Sequence, residues 1–121
     1  MTNYDPDNIF ARVLRDEIPS DRVYEDDEFI AFRDIAPSAP THIVLIPRGQ
    51  APTGPQALTE GDASMVGRMT VVATTIARSL GLEEGGYRLV LNNGADAGQT
   101  VFHLHMHILG GALLGPVASD G

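Results

Sequence analysis

Three of the four histidines in this 121-residue chain stand at alternate positions, His103, His105 and His107, inside the run GQTVFHLHMHILGG (98–111). Side chains two apart on a strand share a face. An extended run TVFHLHMHIL therefore points three imidazoles one way and Phe102, Leu104, Met106 and Ile108 the other. The apolar set belongs against a core, and the histidine set must line something polar. If the row were only a solvated face, Thr, Arg, Glu or Gln would be mixed into it. Titratable groups gathered in this way mark functional sites.

Two chemistries use such a row. One is metal binding. Histidines at i and i+2 lie ~7 Å apart at Cα and can share an ion, whereas the outer pair, ~13 Å apart, cannot both join it. The chain has no Cys and no HExxH helix. A metal site would therefore be two histidines completed by His42 or a carboxylate; the expectation is no metal and no cofactor. The other is phosphoryl chemistry. Neutral imidazole can attack phosphorus, and its neighbours can hold the non-bridging oxygens as charge develops. Gly94, Gly98, Gln99 and Thr100 lead straight into the row. Glycine permits close backbone approach to a ligand, and Thr100 adds a hydroxyl.

Composition narrows the options. Formal net charge is −8, and all eight basic residues are Arg. Without Lys there is no Schiff-base chemistry and no P-loop. The acidic balance argues against nonspecific nucleic-acid binding, which relies on neutralising many phosphates. One anion can still be held locally by backbone N–H groups and His⁺. No apolar run reaches the ~18 residues of a membrane span. The N-terminus shows no basic-then-apolar leader, so the expected location is the cytoplasm.

The elements that must position the row follow from periodicity. Asp5 as N-cap and Pro6 at the first helical position start a helix over 6–16, with Ile9, Phe10, Val13 and Leu14 at helical spacing and Pro19 beyond its end. RVYE and EFIAFRD read as a hairpin. THIVLIP reads as a strand buried on both faces, and 49–57 as a surface loop. Thr59 and Asp62 form a capping box for a long helix over 61–80 that Gly81 ends. Its Met-rich apolar stripe reads as core or dimer packing. YRLVLN and TVFHLHMHIL then pair as an antiparallel hairpin. From Gly110 a Gly-rich tail runs to a mobile end, PVASDG. The order αββ–β–α–ββ gives one α+β domain, two helices around an antiparallel sheet of about five strands.

HLHMHILGG, APTHIVLIPR and IFARVLRDEIPSDRVYEDDEFIAFRDI, in that order, resemble the HINT branch of the histidine triad superfamily over residues 8–111. The resemblance implies hydrolysis of purine nucleoside phosphoramidates or acyl-adenylates through a nucleotidyl-histidine, releasing a nucleoside monophosphate. It implies His105 as nucleophile. His103 and His107 flank the phosphate or second the nucleophile, and His42 orients or relays a proton with it. It also implies Asp34 on the ribose hydroxyls and Ile9, Phe10, Val13, Ile18, Phe32, Arg33 and Ile35 around the base. Asn92, Gly98, Gln99 and Thr100 fall near the phosphate and leaving group, with Thr100 in place of a frequent Ser. Family members of this branch are usually homodimers whose sheets join. The chain has no Trp, which the family commonly carries on the leaving-group side. The other readings are a dinucleoside polyphosphate hydrolase and a nucleotide-binding module with little catalysis.

Overall fold

The computed structural model describes residues 3–117; residues 118–121, the end of the expected mobile tail, lie outside the described residues. Five antiparallel strands form one sheet in the order β1-β2-β3-β5-β4. They are β1 (Arg22–Glu25), β2 (Phe29–Arg33), β3 (Thr41–Pro47), β4 (Tyr87–Val90) and β5 (Met106–Gly110). Helix α1 (Ile9–Leu14) covers one face and α2 (Ala63–Ser79) the other.

β3 makes the sheet two-sided. Its Ile43 and Leu45 pack beneath Met69, Ala73 and Ile76 of α2, together with Phe29, Ala31 and Ile108. Its Val44 and Ile46 pack with Ile30, Phe32 and Val13 of α1. A central strand flanked on both sides has no polar face to offer, which is why its sequence runs apolar without alternation. Between β1 and β2, Asp26 Oδ1 accepts the N–H groups of Glu28 and Phe29, both at 2.7 Å, and closes the expected turn.

The first helix is shorter than periodicity suggests. Asn8, not Asp5, caps it, accepting from the Ala11 N–H at 2.9 Å. Asp5 instead closes a turn, taking the Asp7 N–H on Oδ1 and the Asn8 N–H on its carbonyl. Asn8 directly precedes the apolar stripe, so a helix begun there buries Ala11 and Val13 without winding the exposed Pro6 and Asp7 into it. It ends before Pro19, at Arg15, where Asp16 turns left-handed with φ 59°. The Thr59–Asp62 capping box is present, with Thr59 N–H on Asp62 Oδ2 at 2.9 Å. The loop 49–57 is not wholly superficial: Ala51 and Gly54 are buried. Gly54 lies so close to the Gln99 amide that a Cβ would meet Nε2 at 3.0 Å.

The main departure concerns the histidine strand. β5 begins only at Met106, so His103 and His105 precede it. Continuing the β3–β5 register would set Leu104 opposite Pro47. Proline has no N–H to give the ladder, and the Leu104 N–H goes instead to the Pro52 carbonyl at 2.7 Å. Pairing stops, but the side-chain alternation survives. Leu104, Met106 and Ile108 all join the core under α2.

Candidate active site

The four histidines gather on the α1 side of the sheet. His42 on β3 and His107 on β5 contact across the strands, with ring centroids 5.0 Å apart. His105 follows at 5.1 Å from His107, and Phe10 of α1 stands edge-on to His105 at 4.9 Å. Phe10 also meets Phe32 edge-on at 5.7 Å. The short helix therefore carries an apolar wall directly to the imidazoles.

Hydrogen bonds assign each ring's tautomer. His105 Nδ1 lies 2.7 Å from the His103 carbonyl. A carbonyl only accepts, so Nδ1 carries the proton and Nε2 the free lone pair. Nε2 has no hydrogen-bond partner among the described residues, and no unpartnered side-chain nitrogen there is sealed from solvent. The lone pair therefore opens outward, although the residue as a whole is 8% exposed. His42 Nδ1 accepts the Ser38 N–H at 3.0 Å, which puts its proton on Nε2, aimed at His107 Nδ1 at 2.8 Å. That leaves the His107 proton on Nε2. The Asp34 carboxylate stands 3.6 Å from His42 Nε2 and takes the Ala36 N–H at 2.8 Å.

Burial keeps these rings neutral. It lowers the pKa of His42 against the opposing pull of Asp34, and it lowers His105 against its bond to the His103 carbonyl and the charge of Asp34. His107 is pushed down to about 4, by burial first and then by His105 and His42. The positive spot expected from His⁺ is thus not the resting state. Anion recognition here rests on N–H donors.

His103 departs furthest from a phosphate contact. It is fully buried, with Nε2 on the Pro47 carbonyl at 2.9 Å and Nδ1 on the Tyr4 hydroxyl at 2.9 Å. Both ring nitrogens are occupied, so of its two expected roles only support of the nucleophile fits. Tyr4, Ser38 and Pro47 had no signal in the sequence. Two of them act through backbone groups that every residue owns, and the third sits 99 positions from its partner.

Asp34, His42 and His107 each offer one ligand atom, all within 4.8 Å. The spacing suits an ion, but the protonation does not. A metal on His42 Nε2 would need the ring proton on Nδ1, facing the Ser38 N–H head-on. The arrangement is that of a proton-sharing histidine pair.

Of the remaining expected residues, Val13, Phe32 and Ile18 pack in the apolar cluster beside Phe10. Ile9 lies at the rim, 43% exposed. Arg33 Nε lies 3.5 Å from Asp21 Oδ2, and Ile35 is 95% exposed. Gln99 is buried and fully used by the backbone, taking the Gly94 N–H and donating to the carbonyls of Thr53 and Val101. It ties loops together rather than facing outward. Gly98 has φ 84°, a conformation that favours glycine, and leads to the exposed Thr100. Asn92 lies half-buried just past β4.

The HIT domain family matches residues 15–113. This chain belongs to the HIT domain family. It is 50% identical over 111 residues to the purine nucleoside phosphoramidase of Escherichia coli K12, covering 92% of each chain. Its fold superposes on a histidine triad protein from Clostridium difficile with a TM-score of 0.87 at 37% identity, covering 98% of this chain and all of the other. A HIT family hydrolase from Legionella pneumophila gives a TM-score of 0.86 at 37% identity, over 90% and 96% of the two chains. Fold and relatives make the chain a HIT-type hydrolase. Among the described residues no helix is long and apolar enough to cross a membrane.

Proposed function

We propose that this HIT protein hydrolyses purine nucleoside phosphoramidates and acyl-adenylates through a nucleotidyl group on His105. The observation that carries this reading is the tautomer of His105, whose Nδ1–H is held by a backbone carbonyl while the Nε2 lone pair is left free, in a ring whose centroid is 5.1 Å from that of His107. Nε2 bonds to the α-phosphorus as the phosphorus–nitrogen bond of a phosphoramidate breaks and the amine departs with a proton supplied by solvent, or as the phosphorus–oxygen bond of an acyl-adenylate breaks and the carboxylate departs. Water then attacks the same phosphorus, the His105–phosphorus bond breaks, and nucleoside monophosphate leaves. His107 Nε2–H donates to a non-bridging oxygen. His42, fixed by Ser38, holds His107 in the tautomer that makes this possible. The His103 carbonyl stabilises the positive charge that His105 acquires while it is bonded to phosphorus.

The base lies against Phe10, Val13, Ile18 and Phe32, with Ile9 at the rim, and the ribose hydroxyls reach Asp34. Thr100 and Gly98 meet the phosphate or leaving group. A homodimer joined at β4, which forms one edge of the sheet, completes the proposal; sedimentation at micromolar concentration checks it.

The deciding experiment is mass spectrometry after a brief acid-free quench with adenosine phosphoramidate. An adenylyl adduct mapping to His105 is the expected result. His105→Ala should lose the adduct and at least about a thousandfold in kcat, with AMP binding retained. Near-normal turnover by that variant excludes the assignment.

A further inference from the structure

The proposed chemistry makes no use of the His103 ring, yet that ring is the most completely enclosed of the four histidines, at 0% exposure. Phe10 of α1, the Pro47 carbonyl and the N-terminal segment all pack against it. Tyr4 lies tilted against it with ring centroids 5.7 Å apart and places its hydroxyl 2.9 Å from Nδ1. Nε2–H is committed to the Pro47 carbonyl, so the neutral ring's Nδ1 is an acceptor and Tyr4 donates. The segment that delivers Tyr4 is itself tied down. Asn8 Nδ2–H binds the Asp5 carbonyl at 2.7 Å, and Arg15 Nη1 binds the Pro6 carbonyl at 2.7 Å.

The place where this happens gives it consequence. Residues 103–105 lie outside the sheet ladder, because β5 starts at Met106. The main-chain anchor found there is the Leu104 N–H on Pro52. The two bonds of the His103 ring therefore do for this segment what strand pairing does for the next. The carbonyl that orients the nucleophile belongs to this same residue, 2.7 Å from His105 Nδ1.

We propose that Tyr4 is a positioning residue of the active site, its hydroxyl setting the ring of His103 and, through that residue's main chain, the carbonyl that aims His105. The inference rests on the reading of His105 as nucleophile. Without the hydroxyl, Nδ1 is a buried acceptor with no donor. The ring relieves this by turning or by changing tautomer, and either movement breaks the bond to Pro47 and shifts the carbonyl.

Tyr4→Phe keeps the ring and removes only the hydroxyl. Two quantities are measured on the full chain: turnover of adenosine phosphoramidate, and the imidazole ¹⁵N resonances of histidine-labelled protein without substrate. The expected result is a kcat lower by about three- to tenfold with KM within about twofold. The ring signals of His103 and His105 move while those of His42 stay. Arg15→Met, which frees Pro6 but leaves the hydroxyl, gives a smaller change in the same direction. Unmoved His105 signals overturn the proposal, whether kcat is unchanged or falls only in step with Tm. The resonances need no substrate, so they judge Tyr4 even if the wild-type chain cleaves no phosphoramidate. That second failure would strike the proposed function instead.

Discussion

The two faces of the sheet are built from different materials. On the α2 side, Phe29, Ile43, Leu45, Met69, Ile76 and Ile108 are each no more than 1% exposed and form one apolar layer. On the α1 side a cluster of five buried apolar residues, Val13, Ile30, Phe32, Val44 and Ile46, shares the face with four imidazoles. A six-residue helix covers that side, against seventeen residues on the other. The short helix carries only two buried residues, Ala11 and Val13. Hydrogen bonds to Ser38, Pro47, Tyr4 and the His103 carbonyl hold what packing there does not. One face holds the fold and the other carries the proposed chemistry, and they separate because a central strand can bury both of its sides.

Substitutions and acid should act on the two faces differently. Met69→Ala opens a cavity in the apolar layer and should cost about 2–5 kcal/mol of stability in urea titration. The kcat of the folded fraction should stay within about twofold of wild type. Acid should act on the opposite face. Folded-state histidine pKa values lie below the unfolded value near 6.5, with His107 at about 4. Between those limits the unfolded chain binds more protons, so stability should fall as pH drops from about 6.5 to 4. His107 alone should account for about 2–3 kcal/mol of that loss. Urea titrations at a series of pH values check this, and His107→Asn should flatten the profile. The same burial holds His105 below its ordinary range, which places the acid limb of kcat/KM below pH ~6.5. The smallest effect tests the rim of the site. Asp34→Ala should raise KM about tenfold for a ribonucleoside phosphoramidate and about twofold for its 2′-deoxy analogue. Equal changes would remove Asp34 from the ribose.

The order of elements, the two-sided β3 and the shared face of the histidines were all legible in the sequence, because each is written in side-chain periodicity. Three features were not. The late start of β5 follows from a proline on the neighbouring strand, visible only once the β3–β5 register is extended to bring Pro47 opposite Leu104. The cap of α1 was a contest between Asp5 and Asn8, two residues of nearly equal capping strength, and tertiary burial decided it. The tautomers depend on main-chain amides and carbonyls, which leave no mark on residue identity. The base-side assignments of Arg33 and Ile35 came from resemblance alone, since neither residue carries a periodicity or motif signal of its own.

The acceptor that orients His105 is a peptide carbonyl. No codon change at position 103 can delete that oxygen, so side-chain changes around it can tilt the proposed nucleophile without discarding its polarity. Substitution at position 103 can therefore change the ring that meets Tyr4 while the acceptor stays in the chain.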